Sequence, residues 1–357
     1  MKLNNKGFAL TSIIYMLIVL FLLLLLLLLG NLASRKVVLD KMKYDVKLRL
    51  NQGGIAVTSK TLHETLMTYY YSEYNPGKQG YQTTPGRQLA NTNEGLIMGK
   101  DDSGTTYYFR GNVDNNYVFF AGKLFRIVRI NGDGTIRIIL NEGIGNTSFS
   151  TLENEEKYIG YSFDRNENET NNNIKDYLES WYNGTNEFLG MEEALIKYDN
   201  YIATTTYCND TSTYTINNQQ QNTIYYSSHN RLSPLNGFME NAYPLFNCSE
   251  SLNNYGGRYN VKIGLITADE IAFAGGIYNN TTETANHYLK SSEDYLTMTP
   301  ETFIQAPYVW SVKEGLLTKT KTTENLLIRP VINLEKNVII LSGIGTQTNP
   351  YIISSEK

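Results

Sequence analysis

Residues 8–29, FALTSIIYMLIVLFLLLLLLLL, form an uncharged run of mostly Leu, Ile and Val, with Lys2 and Lys6 ahead of it. At 1.5 Å rise per residue a helix of this length spans roughly 33 Å, which matches a ~30 Å hydrocarbon core, whereas the apolar stretch of a secretory signal is only ~7–15 residues. The run predicts a membrane helix over residues 8–30, residues 1–7 as leader or cytoplasmic tail, and a chain held by membrane lipid. Arg35, Lys36, Lys41, Lys43, Lys47 and Arg49 follow it, so positive charge alone would keep the remainder in the cytoplasm. Long domains translocate largely regardless of flanking charge, and the chain beyond residue 75 is rich in Asn, Thr and Tyr and poor in charge. The expectation is a single-pass cell-membrane protein with its C-terminal domain extracellular.

The 357 residues leave ample chain beyond the run for one large domain or two small ones, and 41% apolar residues allow a packed core. A net charge of −4 gives no basic footprint for nucleic acid, which is excluded as a partner. The 28 tyrosines offer rigid contact area with a polar tip, which suits sheet faces and binding surfaces alike. Cys208 and Cys248 lie in a Tyr/Asn/Ser-rich stretch, and outside the cell they would pair, closing a loop that stabilises the domain by about 3–4 kcal/mol. His63, His229 and His287 sit at no ligand spacing from either cysteine and there is no CxxC or HxxxH, so neither a metal nor a cofactor is expected.

After the run, Leu39, Met42, Val46 and Leu50 recur at helical spacing, and a second helix is expected from about Thr58 to Tyr71 with Leu62, Leu66 and Met67 inward. Together these predict a helical stalk over 31–74, the alternative being that either stripe packs on the domain, followed by a linker over 75–94 holding Pro76, Gly77, Gly80, Pro85 and Gly86. The pattern then turns to β. Segments 105–110, 117–121, 123–130 and 135–140 are rich in aromatic and β-branched residues, and Asn131-Gly132-Asp133-Gly134 marks a hairpin turn. Alternation of Phe125, Ile127 and Ile130 with Arg126 and Arg129 suggests one wet face. That turn resembles a calcium loop only superficially, because an EF-hand needs its bidentate Glu at the twelfth position and flanking helices.

Short helices are expected over 172–182, with Ile174, Tyr177, Leu178 and Trp181 on one face, and from Thr267 to Ala274, with Glu270 completing a capping box. Asp269 and Glu270 are adjacent, but neighbours on a helix point about 100° apart, so they read as first-turn acids favoured by the dipole, not as an acid/base pair. Arg329 lies in an apolar strand, where a guanidinium must be paired or face outward. It reads as a buried structural Arg on carbonyls or a carboxylate; the alternative is a ligand contact grouped with Trp310 and Tyr308.

Two resemblances add to this reading. Lys6-Gly7-Phe8-Ala9-Leu10-Thr11 resembles the cleavage box of type IV prepilins and pseudopilins, which implies processing between Gly7 and Phe8. That family typically carries Glu at the fifth mature position to pair with a neighbouring subunit's amino terminus; this chain has Ser12 there. Further on, TTYYFRG, NNYVFFAGKLFRIVRINGDGTIRII, VKIGLITADE, YLTMTP, VWSV and IRPVINLEKNVIILSGIGTQTNPYII are similar to an uncharacterised surface domain of Gram-positive anaerobes. That domain is distantly similar to C-type-lectin-like and formylglycine-generating-enzyme-like folds, and the generating enzyme's reactive thiols are not reproduced here. The resemblance implies an α+β domain over 95–357, mainly antiparallel β with short packed helices.

Two function classes follow. The first is a membrane-anchored surface interaction protein or minor pilin-like subunit, not an enzyme, whose partners are pilus or cell-wall components or a glycan or peptide ligand. The second is a surface enzyme or enzyme accessory acting on glycan or peptide, for which no Ser/His/Asp, Cys/His or paired-carboxylate arrangement stands out and no catalytic residue is named.

Overall fold

A computed structural model describes residues 15–21, 60–80, 88–153, 174–214, 223–233, 243–248, 258–278 and 284–354. The chain divides into two compact units, Met1–Thr58 and Ser59–Lys357. In the first, residues 15–21 are helical with exposed side chains. The rest of the apolar run, the Gly7-Phe8 box and the helix expected over 31–50 lie outside the described residues. Among the described residues no helix is long and apolar enough to cross a membrane.

The second unit is α+β, mostly strands with a few short helices. Its larger sheet runs Ile263–Gly264, Val331–Leu334, Ile136–Leu140, Lys123–Ile130, Tyr117–Phe120, Tyr351–Ile353 and Ile340–Ser342. Gly104–Gly111 joins the Ile130 end of Lys123–Ile130 and carries Asn93–Asp101 beside it. A second sheet centres on Tyr295–Ile304, flanked by Pro307–Lys313 and Leu316–Lys321 on one side and by Leu326–Leu327 and Thr223–Tyr226 on the other. Thr205–Cys208 and Arg258–Val261 make a separate two-stranded ribbon. Among the described strands pairing is antiparallel except where Tyr351–Ile353 meets Tyr117–Phe120 and where Leu327 meets Tyr295, and an isolated parallel bridge joins Tyr278 to Leu317. One hydrophobic cluster, running from Leu62 through Phe125, Ile138, Trp181, Ile271 and Trp310 to Ile353, joins the layers.

The helix Leu62–Tyr71 packs on this second unit, as its stripe allowed: its Thr61–Glu64 capping box starts it at the sheet, where Leu62 N–H donates to Val338 O at 2.9 Å. Leu62, Leu66 and Tyr70, four residues apart, bury one stripe in the same cluster as Leu96 and Phe109. The segment expected as a linker is latched to a strand over its described part. Asn75 is buried, its Oδ1 accepts from Leu96 N–H at 2.8 Å and Gly77 N–H at 3.2 Å, and its Nδ2 donates to Leu96 O and Tyr70 O. One asparagine thus satisfies backbone groups that would otherwise be orphaned under the strand edge.

The 117–140 hairpins form as their turns dictate. Ala121 and Gly122, with φ of 49° and 71°, turn the first, and Asn131 closes the second by accepting from Gly134 N–H and donating its own N–H to Thr135 O. The wet face does not exist: Arg126 and Arg129 are 5% and 8% exposed. A bulge between Ile127 and Arg129 breaks the two-residue alternation, and both faces of the hairpin are covered by other elements. Arg126 stacks on the Tyr117 ring at 3.8 Å, donates to Asn116 Oδ1 and Val113 O, and is pushed by burial down to about 10.

Candidate functional site

The bulge sets Arg129 directly opposite Arg137 on the neighbouring strand. Like charges facing across a ladder are destabilising unless an anion separates them. Glu270 supplies it: its Oε1 lies 3.1 Å from Arg129 Nε and 2.7 Å from Arg137 Nε, the latter off the line of a hydrogen bond. The helix Ala268–Ala274 places that carboxylate. Thr267 Oγ1 accepts from Glu270 N–H while Glu270 Oε2 accepts from Thr267 N–H, so the capping box aims Oε1 at the arginines. Burial pushes the Glu270 carboxyl up, but Arg137, Arg129 and the Thr267 amide outweigh it and hold it below the usual carboxylate range.

The neighbouring residue anchors a second pair. Asp269 takes Arg231 in a two-pronged contact, Nε to Oδ1 and Nη2 to Oδ2, both 2.9 Å, and Asp210 Oδ2 accepts from Arg231 Nη1 at 2.7 Å. Burial alone would lower the Arg231 guanidinium; Asp269 and Asp210 reverse that and raise it. On the other side Asp101 Oδ2 accepts from Arg129 Nη1 at 2.7 Å and from Gly132 N–H at 2.8 Å. Gly132 is pressed so close that a Cβ there would meet Asp101 Oδ1 at 2.3 Å, which ties the hairpin turn to this carboxylate.

Cys208 and Cys248 are joined, with Cα atoms 5.4 Å apart, and the bond pins residues 243–248 over this ionic cluster. Leu245 N–H donates to Asp269 Oδ1 and Cys248 N–H to Asp102 Oδ2, both at 2.9 Å, while Arg258 pairs with Asp102 at 3.4 Å. Phe246 stacks on Phe273 at 3.8 Å and lies over Arg129 at 4.9 Å. Between the strap, the hairpin and the ribbon is a cavity of about 90 Å³, lined by the three arginines, their carboxylates, Asn131, Thr205 and Phe246.

Arg129 Nη2 and Arg137 Nη1 have no hydrogen bond among the described residues. Arg137 is 2% exposed and its guanidinium lies over the Tyr207 ring at 4.3 Å, with Nη2 reaching Leu265 O at 3.3 Å. Gly264 makes room for that stack, since a Cβ there would sit 2.4 Å from the Tyr207 ring. Among the described residues no group of His, Cys, Asp and Glu is arranged to hold a metal ion.

Cys208 and Cys248 line this cavity, while the residues singled out from sequence as ligand contacts lie elsewhere. Arg329 is sealed in the core, donating from Nε to Leu140 O at 3.1 Å and from Nη1 to Leu289 O at 3.0 Å, over the Tyr295 ring at 4.8 Å. Burial pushes its guanidinium down against the Tyr295 interactions. Trp310 is also fully buried, donating from Nε1 to Ser228 Oγ at 3.1 Å, and Tyr308 is half-buried with Lys319 Nζ 5.3 Å from its ring. With Arg329 and Trp310 buried, the three make no joint surface among the described residues. Beside Trp310, His229 Nδ1 bonds Glu301, but Ser228 Oγ is turned to Pro300 O and to Trp310, so adjacency of Ser228 and His229 makes no nucleophile and base pair. His287 is buried and pushed down to about 4, with Nε2 on Gly315 O and Nδ1 accepting from Leu289 N–H; that pairing assigns the neutral Nε2–H tautomer.

Arg137, Arg231 and Asp101 were not singled out by sequence, and Arg129 and Glu270 were read only as a solvated strand residue and a helix-capping acid. The available signal was the argument applied to Arg329: Arg129 and Arg137 also interrupt apolar strands, and a buried guanidinium requires carboxylates or carbonyls. Which carboxylate answers depends on contacts across more than a hundred residues. Against models of known families, characterised proteins and solved structures, the chain matches none.

Proposed function

We propose that the chain is a membrane-anchored cell-surface interaction protein, tethered by the apolar run 8–29 and presenting the Ser59–Lys357 unit as a binding head whose site is the cavity beside the disulfide. The observation that carries this is the state of the cavity's charges. Each lining carboxylate already accepts from a guanidinium or a backbone N–H, so the acids are fixed as structure and have no proton-transfer task. The two cysteines are bonded to each other, and the residues lining the cavity include no histidine. A rigid, fully paired ionic wall with a partly unspent donor is suited to recognising a small group, not to transforming one.

The exterior location is supported by the disulfide, which persists where the surroundings oxidise. A head of mostly antiparallel strands with short helices is also compatible with the C-type-lectin-like resemblance, and the Gly7-Phe8 box with a minor pilin-like leader. Protease treatment of intact cells tests the reading. The head should be digested while the amino terminus stays protected; full protection until lysis would exclude a surface protein.

A further inference from the structure

We infer that residues 243–248 form a lid latched by the Cys208–Cys248 bridge, and that a dithiol reductant opens the cavity beneath it while the sheets stay folded; this rests on the binding reading above and names how access to that site is controlled. The strap packs apart from the core. Its aromatic, Phe246, sits in a small apolar slot of Ile97, Tyr108 and Phe273, 3.8 Å from the Phe273 ring and 5.1 Å from the Tyr108 ring. Among the described residues, the large cluster that joins the two sheets takes no member from 243–248. Polar contacts add Leu245 N–H on Asp269 Oδ1, Cys248 N–H on Asp102 Oδ2 and Arg258 Nη2 on Cys248 O at 3.1 Å, while Tyr243 and Leu245 remain 48% and 45% exposed.

The other end of the bridge is fixed. Cys208 closes the strand Thr205–Cys208, whose Tyr207 is fully buried in the large cluster and donates from its hydroxyl to Val331 O at 2.8 Å. The bridge thus ties a peripheral strap to a core-anchored strand, and lifting the strap breaks local contacts only, which is the condition for opening without global unfolding. While the bond holds, the Cys248 Cα stays 5.4 Å from that of Cys208, and Phe246, two residues away, stays within about 7 Å of Cys248. Leu245, Phe246 and Asn247 line the cavity and Phe246 lies over Arg129 at 4.9 Å, so a lifted strap uncovers the ionic cluster from that side. Cys208 is half-buried where Cys248 is 6% exposed, so a thiolate meets Cys208 first. One thiolate of the dithiol attacks the Cys208 sulfur, forming a mixed disulfide and releasing the Cys248 thiolate, which takes a proton. The second thiol then displaces Cys208, passing its proton on, so that the reductant leaves as a disulfide and Cys208 as a thiol.

Hydrogen exchange read by mass spectrometry on the full chain in detergent, oxidised and after dithiothreitol, tests the latch. Reduction should speed exchange over 243–248 at least about tenfold while the strands Ile136–Leu140 and Val331–Leu334 keep their rates, and reoxidation should restore the slow exchange. Phe246→Ala empties the apolar slot without touching the bridge, so the oxidised variant should exchange over 243–248 faster than oxidised wild type and more slowly than the reduced protein. Unchanged exchange of 243–248 on reduction overturns the latch, loss of protection by strap and sheets together overturns the lid, and an oxidised F246A as slow as wild type overturns the role of Phe246; if F246A does not fold, the two redox states of the unaltered chain decide alone. A head that protease reaches on intact cells but that fails the exchange test loses the lid only, whereas a protected head overturns the surface reading itself.

Discussion

Glu270→Gln is the sharpest perturbation of the ionic cluster, because it removes a charge without changing shape. In the native head Glu270 Oε1 lies within 3.1 Å of both Arg129 Nε and Arg137 Nε, and the carboxylate is 3% exposed. The amide would leave two guanidiniums facing each other across a ladder, with Asp101 the remaining anion on Arg129. Breaking a buried pair by removing one partner costs about 3–5 kcal/mol, a large part of the 5–15 kcal/mol typical of a whole domain. For a unit of this size each kcal/mol lowers Tm by roughly 2–4 °C, so the expected drop is on the order of 10 °C. Thermal unfolding gives the shift in Tm and urea unfolding the free energy, both followed by circular dichroism at pH 7 without reductant. Because the Glu270 carboxyl is held low in the fold, its contribution is present above the unfolded carboxyl range and lost as pH falls through it; the difference between wild type and E270Q should therefore shrink in acid. A second variant, R137M on top of E270Q, should recover part of the loss by removing one stranded charge. An E270Q protein within 1 kcal/mol of wild type, or a double variant no better than E270Q, would refute the reasoning.

Arg329→Leu strips a donor from Leu140 O and one of two from Leu289 O, which keeps the Tyr295 hydroxyl at 2.8 Å, and should cost about 1–3 kcal/mol by denaturant unfolding; an unchanged midpoint would refute a structural role for the guanidinium. His287, pushed by burial from 6.5 to about 4, refuses a proton that the unfolded chain accepts between those values. Its contribution is complete above pH 6.5 and falls by about 1.4 kcal/mol per pH unit, about 3 kcal/mol by pH 4, so His287→Gln should flatten that part of the stability profile. Reducing Cys208–Cys248 opens a loop of separation 40 and should cost about 4 kcal/mol in the chain-entropy account, seen as a lower urea midpoint; an unchanged midpoint would assign the bridge no stabilising role.

Local signals in the sequence were legible where a few neighbouring residues decide the outcome. The Thr267 capping box, the turn at Asn131–Gly134 and the stripe on Ile174–Asn183 depend on neighbours a few positions apart, and each forms where the residues indicate. The stalk and linker boundaries were not legible, because a stripe such as Leu62, Leu66 and Tyr70 looks alike whether it meets another helix or a sheet. The wet face failed for a related reason: two arginines in an alternating strand read as solvated unless one knows that Glu270, 141 residues later, is folded against Arg129 and that Tyr117 and Asn116 cover Arg126. The same distance hid the site. Arg329 drew attention by its apolar neighbours, while Arg137 and Glu270 become a pair only through tertiary contact, and Asp269 and Glu270, excluded as an acid/base couple by their angular separation, instead serve two different arginines.

The central claim is that a disulfide-braced head stands outside the membrane that holds its apolar segment. A membrane-impermeant thiol reagent applied to intact cells, before and after an impermeant reductant, tests this in one measurement. Cys208 and Cys248 should be silent before reduction and both labelled after it, without lysis; labelling before reductant, or only once the cells are broken, would contradict the account.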